Sequence, residues 1–67
     1  MNIYVQHVEN FWYETEKNLK QKGVSEFKIQ VVRQSLINLI FDIVEGRITD
    51  HYKVDYEMRP RVEKLVN

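Results

Sequence analysis

Nine consecutive residues, Leu36-Ile37-Asn38-Leu39-Ile40-Phe41-Asp42-Ile43-Val44, contain seven apolar side chains and run into Glu45-Gly46. On a helix, Asn38 and Asp42 stand four residues apart and share one narrow polar strip. The apolar residues then wrap roughly 200° of the circumference, about twice the stripe that one neighbouring helix covers. Such a segment has to be packed from more than one side, by other parts of the chain or by a second copy of it.

The chain is short for that task. Sixty-seven residues make one small helical domain, 1–67, and a domain of that size buries only about 60% of the surface its unfolded form exposes. Small scaffolds compensate with a disulfide, a structural metal, very tight packing or a partner subunit. There is no cysteine, which removes disulfides and thiolate metal sites together. His7 and His51 occupy no ligand spacing such as H-E-x-x-H, so neither a metal nor a cofactor is expected from the residues; a site joining His7, His51 and nearby carboxylates in three dimensions has no support in the spacing. Tight helix packing or self-association is what remains.

Ten Lys+Arg balance ten Asp+Glu, which argues against binding driven by phosphate neutralisation. Met1-Asn2-Ile3-Tyr4-Val5-Gln6-His7 offers neither a basic n-region nor an apolar h-region, so no signal peptide is expected. A membrane span requires about 20 predominantly apolar residues, and the best window carries Lys28, Arg33, Asp42 and Glu45. These features lead to the expectation of a soluble, cytoplasmic protein.

From Asn2 to Lys22 the pattern predicts an amphipathic helix. Tyr4, Val5, Val8, Phe11, Trp12, Thr15 and Leu19 recur at three- and four-residue steps within a stripe of about 120°. Asn2 is a suitable N-cap, and Glu16 precedes Lys20 by four residues, the favourable order for an exposed pair. Phe11 and Trp12 fall on the stripe and are expected in the core. Tyr13 lies about 100° from its centre and is the exposed ring of the three.

Lys22-Gly23-Val24-Ser25 then reads as a turn. Gly23 can adopt the left-handed conformation that ends a helix, Ser25 can cap the next one, and Val24 is placed to pack on Ile29 as a hydrophobic staple. So short a link implies antiparallel neighbours. The second helix, from Glu26 to Glu45, presents Ile29, Val32, Leu36, Leu39, Ile40 and Ile43 on one broad face. Ile37, Phe41 and Val44 widen it on one flank, while Phe27 and Val31 lie near the back. Arg33 falls within the broad face and is expected to extend its guanidinium to water. The sharper reading of Arg33 is an ion pair with Asp42 or Glu45 of a second copy.

Gly46 stops that helix, and Thr49 or Asp50 can cap the next segment. The residues after this cap fit two templates. Tyr52, Val54, Tyr56 and Met58 alternate with charged residues as a strand does, yet Tyr52 and Tyr56 are also i,i+4 neighbours. We favour a helix from Asp50 to Arg59, a kink or break at Pro60, and a last turn from Pro60 to Val66. Val62, Leu65 and Val66 would then face the core, with Arg61, Glu63 and Lys64 outside.

No catalytic constellation is visible. Asp50-His51 with Glu45 nearby is the one acid–histidine grouping in the sequence, and adjacent helical residues point about 100° apart. No serine, cysteine or lysine nucleophile has a supporting partner. Arg47, Lys53, Arg59, Arg61 and Lys64 make the last third the most basic, nearly cancelled by Asp50, Asp55, Glu57 and Glu63. A helix-turn-helix reading of residues 11–45 fails on charge, since the second helix carries only Lys28 and Arg33. No motif here carries a resemblance to a known family.

The resulting expectation is all-α: an antiparallel helical hairpin, a shorter C-terminal helical segment, and a homodimeric bundle, the commonest closed oligomer. The function it implies is non-enzymatic, regulatory or adaptor, acting through helix-mediated contacts with a second copy and another protein. Tyr13, Phe27, Val31, Ile37, Phe41, Tyr52 and Tyr56 are the expected contact residues. The alternative is a small dimeric nucleic-acid-binding regulator using the C-terminal basic residues.

Overall fold

A computed structural model describes residues 2–66, which form three helices: α1 (Ile3–Gln21), α2 (Glu26–Val44) and α3 (His51–Val66). The first two follow the sequence pattern closely. Asn2 caps α1, its side-chain oxygen accepting from the amides of Tyr4 at 2.9 Å and Val5 at 3.3 Å. Ser25 caps α2 by accepting from the Lys28 amide at 3.3 Å. Each cap satisfies donors that a helix start otherwise leaves without partners.

Both glycines end helices by the same device. Gly23 has φ +75°; its N–H donates to the Lys20 carbonyl at 3.1 Å, and the Val24 N–H donates to Leu19 at 3.0 Å. Gly46 has φ +81°, with its N–H on Ile43 at 3.1 Å and the Arg47 N–H on Asp42 at 2.9 Å. This pair of bonds is the Schellman arrangement, which returns the last carbonyls of a helix to hydrogen bonds and turns the chain back. A Cβ would meet nothing at either position, so the positive φ alone selects glycine there.

The segment that fitted both strand and helix is helical. Asp50 caps α3, its carboxylate accepting from the Tyr52 amide at 2.9 Å. Helical spacing splits the alternating quartet: Val54 and Met58, one turn apart, are buried, whereas Tyr52 and Tyr56 are exposed. α3 carries on through Pro60, which lies inside it. Proline deprives the Tyr56 carbonyl of its i+4 donor, and both residues are exposed.

The core is organised by α2. Ile29, Val32, Leu36, Leu39 and Ile43 form its buried row, joined by Val8 and Leu19 of α1, Ile48 of the connection, and Val54 and Met58 of α3. α2 packs against both other helices, while α1 and α3 touch each other least. Phe11 and Trp12 are half-buried against this core, as are Val62, Leu65 and Val66.

Arg61 departs from the expected outward placement. It stands seven residues after Val54, two turns on, and so falls on the inward row of α3. Its side chain is only 24% exposed, and Nη1 donates to the Ser35 carbonyl on α2 at 3.0 Å. Nη2 lies 3.8 Å from Asp42 and Nε 3.6 Å from Glu57. The aliphatic stem packs inward while the guanidinium reaches polar partners at the edge. Asp42, expected on a solvated strip with Asn38, is half-buried. It also binds Arg47 at 2.8 Å, and so joins α2, the connection and α3.

Two substitutions separate packing from backbone terms. Leu39→Ala empties a fully buried position and is expected to cost about 2–5 kcal/mol in urea unfolding. Gly46→Ala has open space but a forced positive φ, and should cost roughly 1–2 kcal/mol. Equal losses at the two sites would contradict this assignment of causes.

Candidate functional site

The seven residues expected to make contacts do not converge on one patch. Ile37 is half-buried and Phe41 is 54% exposed along one flank of α2. Phe27 and Val31, 79% and 37% exposed, stand one turn apart on the back of the same helix. Tyr52 and Tyr56 form an exposed pair on α3, and Tyr13 is the exposed member from α1. Val44, on the Ile37 flank, is also exposed. The surfaces left uncovered are thus concentrated on α2, the helix with the most apolar circumference.

One of these surfaces is concave. A groove of about 210 Å³ runs along the seam between α1 and α2, with Val8 and Leu36 in its floor and Glu9, Trp12, Arg33, Ile37 and Ile40 on its walls. A second cleft, lined by Asn2, Val5, Gln6, Glu9 and Val44, adjoins it at Glu9. No residue of α3 lines either one. Trp12, read from its spacing as core, is half-buried against the core and also forms a wall of this groove. The reason is that α3 packs over the opposite flank of α1, beside His7 and Phe11.

Charge sits at the groove in a particular way. Glu9 of α1 and Arg33 of α2 have opposite signs, and among the described residues neither makes an ion pair within 4.0 Å. Arg33 is exposed, its guanidinium in water as expected. Asp42 and Glu45, the carboxylates considered as its partners on a second copy, are both engaged by Arg47 of the same chain.

The fold also assembles a cluster that residue spacing did not reveal. His7 of α1 and His51 of α3 flank Asp55: His7 Nε2 is 2.8 Å from Asp55 Oδ1, and His51 Nε2 is 3.3 Å from Oδ2. The two imidazole centroids are 5.3 Å apart, and the Tyr4 ring lies 6.0 Å from that of His51. The hydrogen bond with His7 is the main influence holding the Asp55 carboxyl below its ordinary range, aided by the charges of His51, His7 and Arg59 and opposed by partial desolvation. The acid–histidine grouping in this fold is therefore His7–Asp55–His51, in place of Asp50-His51 with Glu45. Its local half, His51 and Asp55 at i,i+4, is visible in the sequence. The contribution of His7, 48 residues from Asp55, is not.

Of the basic residues in the last third, Arg47 and Arg61 are committed to carboxylates of the same chain. Lys53, Arg59 and Lys64 are exposed. Among the described residues, no helix is long and apolar enough to cross a membrane. No family model matches the chain, and neither does any curated protein or solved structure.

The Asp55 interaction has a definite pH signature. A carboxylate whose folded pKa is depressed stabilises the fold above its unfolded pKa of about 3.9, and that stability is lost as pH falls through the folded value. The melting temperature of the native chain should therefore exceed that of Asp55→Asn at pH 5. The gap should close as the solution is acidified below the ordinary carboxylate range. A gap that stays constant into strong acid would show that ionisation of Asp55 is not linked to folding.

Proposed function

We propose that this chain is a small, non-enzymatic regulatory or adaptor protein of the cytoplasm that works through helix-mediated contacts as a homodimer. The observation that carries the reading is the surplus of apolar surface on α2. Its inward row is fully covered by α1 and α3, yet Phe27, Phe41 and Val44 remain mostly exposed and Ile37 stands in an open groove. Apolar area is worth about 25 cal/mol per Å² when removed from water, and contiguous apolar patches on soluble chains commonly mark contact sites.

The α1/α2 seam is the surface best suited to self-association. A twofold interface is self-complementary, so each residue on one copy meets its counterpart's neighbour on the other. Glu9 and Arg33, on opposite walls of the groove, fit this requirement: across a twofold axis, Arg33 of each copy can face Glu9 of the other. Trp12, Ile37 and Ile40 supply an aromatic and aliphatic centre of the kind that carries interface energy, with charge at the rim. The Phe27–Val31 and Tyr52–Tyr56 pairs lie off this seam and are left for a different protein partner.

A non-enzymatic role is supported by the character of the groove, which gathers apolar walls and two opposite charges rather than convergent acid, base and nucleophile. Nucleic-acid binding is the weaker reading, because Arg47 and Arg61 are engaged within the chain.

Sedimentation at micromolar concentration tests the proposal. The expected mass is twice 8.2 kDa. Ile37→Glu, at a half-buried position on the groove wall, should keep the fold and weaken the dimer by about tenfold or more. Emission of Trp12 should shift to shorter wavelength as the dimer forms. A chain that sediments as an 8.2 kDa monomer with cooperative unfolding rejects the dimer. Retardation of DNA or RNA at low salt, lost steeply as salt rises, would favour the nucleic-acid reading.

A further inference from the structure

We propose that His7, His51 and Asp55 form a binding site for a divalent transition-metal ion of the zinc class, and that the bound ion clasps α1 to α3. The donor set is two imidazoles and one carboxylate, and one ligand atom from each lies within 4.8 Å of the others. Imidazole favours zinc, copper and nickel over magnesium or calcium, which take oxygen ligands. Three protein ligands with a fourth position left to water is a common zinc arrangement.

With one ligand atom from each residue within 4.8 Å of the others, side-chain rotations gather the three donors round one ion. Zinc–nitrogen and zinc–oxygen bonds of about 2.0–2.2 Å place neighbouring ligands of a tetrahedral shell about 3.3–3.5 Å apart. His51 Nε2 and Asp55 Oδ2 are already separated by 3.3 Å. His7 Nε2 approaches the other carboxylate oxygen, Asp55 Oδ1, at the hydrogen-bond length of 2.8 Å, so an ion takes the place of that hydrogen bond as the side chains rotate to present one oxygen and both imidazoles to it. His51 and Asp55 are held on one face of α3 by their i,i+4 spacing, and His7 is delivered by α1. Side-chain exposures of 41%, 54% and 47% leave an entry path from solvent. A cleft lined by Ile3, Tyr4, His7 and His51 adjoins the donors and gives room for the fourth ligand.

The location gives the ion a structural consequence. α1 and α3 make the thinnest contact in the fold, and the chain has no disulfide. A link from His7 to His51 and Asp55 closes most of the polypeptide into one loop, where a cross-link restrains the unfolded chain most. Arg59, one turn beyond Asp55, acts on the same carboxylate and opposes a cation, so the site is weaker than a closed structural one.

Zinc ion alone is the probe, titrated into the full chain by calorimetry and followed by thermal unfolding. The expected result is one ion per chain and a Tm raised by about 10–20 °C with free zinc at a hundred times Kd. EDTA should reverse the shift, and magnesium should not produce it. His7→Gln, His51→Gln and Asp55→Asn, all at partly exposed positions that circular dichroism can verify as folded, should each weaken binding by about tenfold or more. The proposal is overturned by the absence of a shift at saturating zinc, by a shift that survives all three substitutions, or by a stoichiometry of one ion per two chains.

Discussion

The buried row of α2, Ile29, Val32, Leu36, Leu39 and Ile43, is the constraint on which the rest of the fold depends. One helix supplies half of the buried apolar side chains, and both of its neighbours are placed by what they cover on it. α1 contributes Val8 and Leu19 to one side, and α3 contributes Val54 and Met58 to the other. The two glycine-ended turns make that possible, since each reverses the chain onto α2 within a few residues while returning its terminal carbonyls to hydrogen bonds. Asp42 adds a polar fastening at the far end. It lies on the edge of the apolar row and gathers Arg47 and Arg61 from the connection and from α3.

Coverage from two sides still leaves part of α2 uncovered, because α1 and α3 both pack on its one inward row while Phe27, Phe41 and Val44 stand outside that row. Ile37 lines the α1/α2 groove and Val44 the cleft adjoining it, Phe41 stands exposed beyond them, and the back carries Phe27 and Val31. The opposite flank of α1 faces α3, where His7 meets Asp55 and His51. The groove and the histidine–aspartate cluster therefore occupy different sides of α1. An association through one and an ion in the other are physically compatible and separately testable.

Local rules carry the sequence reading far in the first two helices. Three- and four-residue spacing places Val8, Leu19, Ile29, Val32, Leu36, Leu39 and Ile43, and cap chemistry places Asn2, Gly23, Ser25 and Gly46. α3 is ambiguous in sequence because Tyr52, Val54, Tyr56 and Met58 satisfy periods of 2 and 3.6 at once, and only packing on α2 selects the inward pair. Arg61 is misplaced by a reading that weighs charge above position. The row set by Val54 and Met58 runs through it, and a long side chain can bury its stem while its head finds the Ser35 carbonyl. The histidine cluster depends on α1 and α3 meeting, a contact between residues 48 positions apart that no local pattern encodes. Trp12 is recognisable as part of an apolar stripe, but which flank of α1 is covered by α3 is not legible until the third helix is placed.

The most direct test of this account is side-chain relaxation by a soluble paramagnetic agent, measured in a dilute sample of the isotopically labelled chain. Methyl groups of Val32, Leu36 and Leu39 should be shielded, whereas Phe27, Phe41 and Val44 should relax strongly because nothing within the chain covers them. If Phe41 and Val44 proved as shielded as Leu36 in a dilute monomer, the chain would be enclosing α2 by itself, and the apolar surplus on which the proposed association rests would not exist.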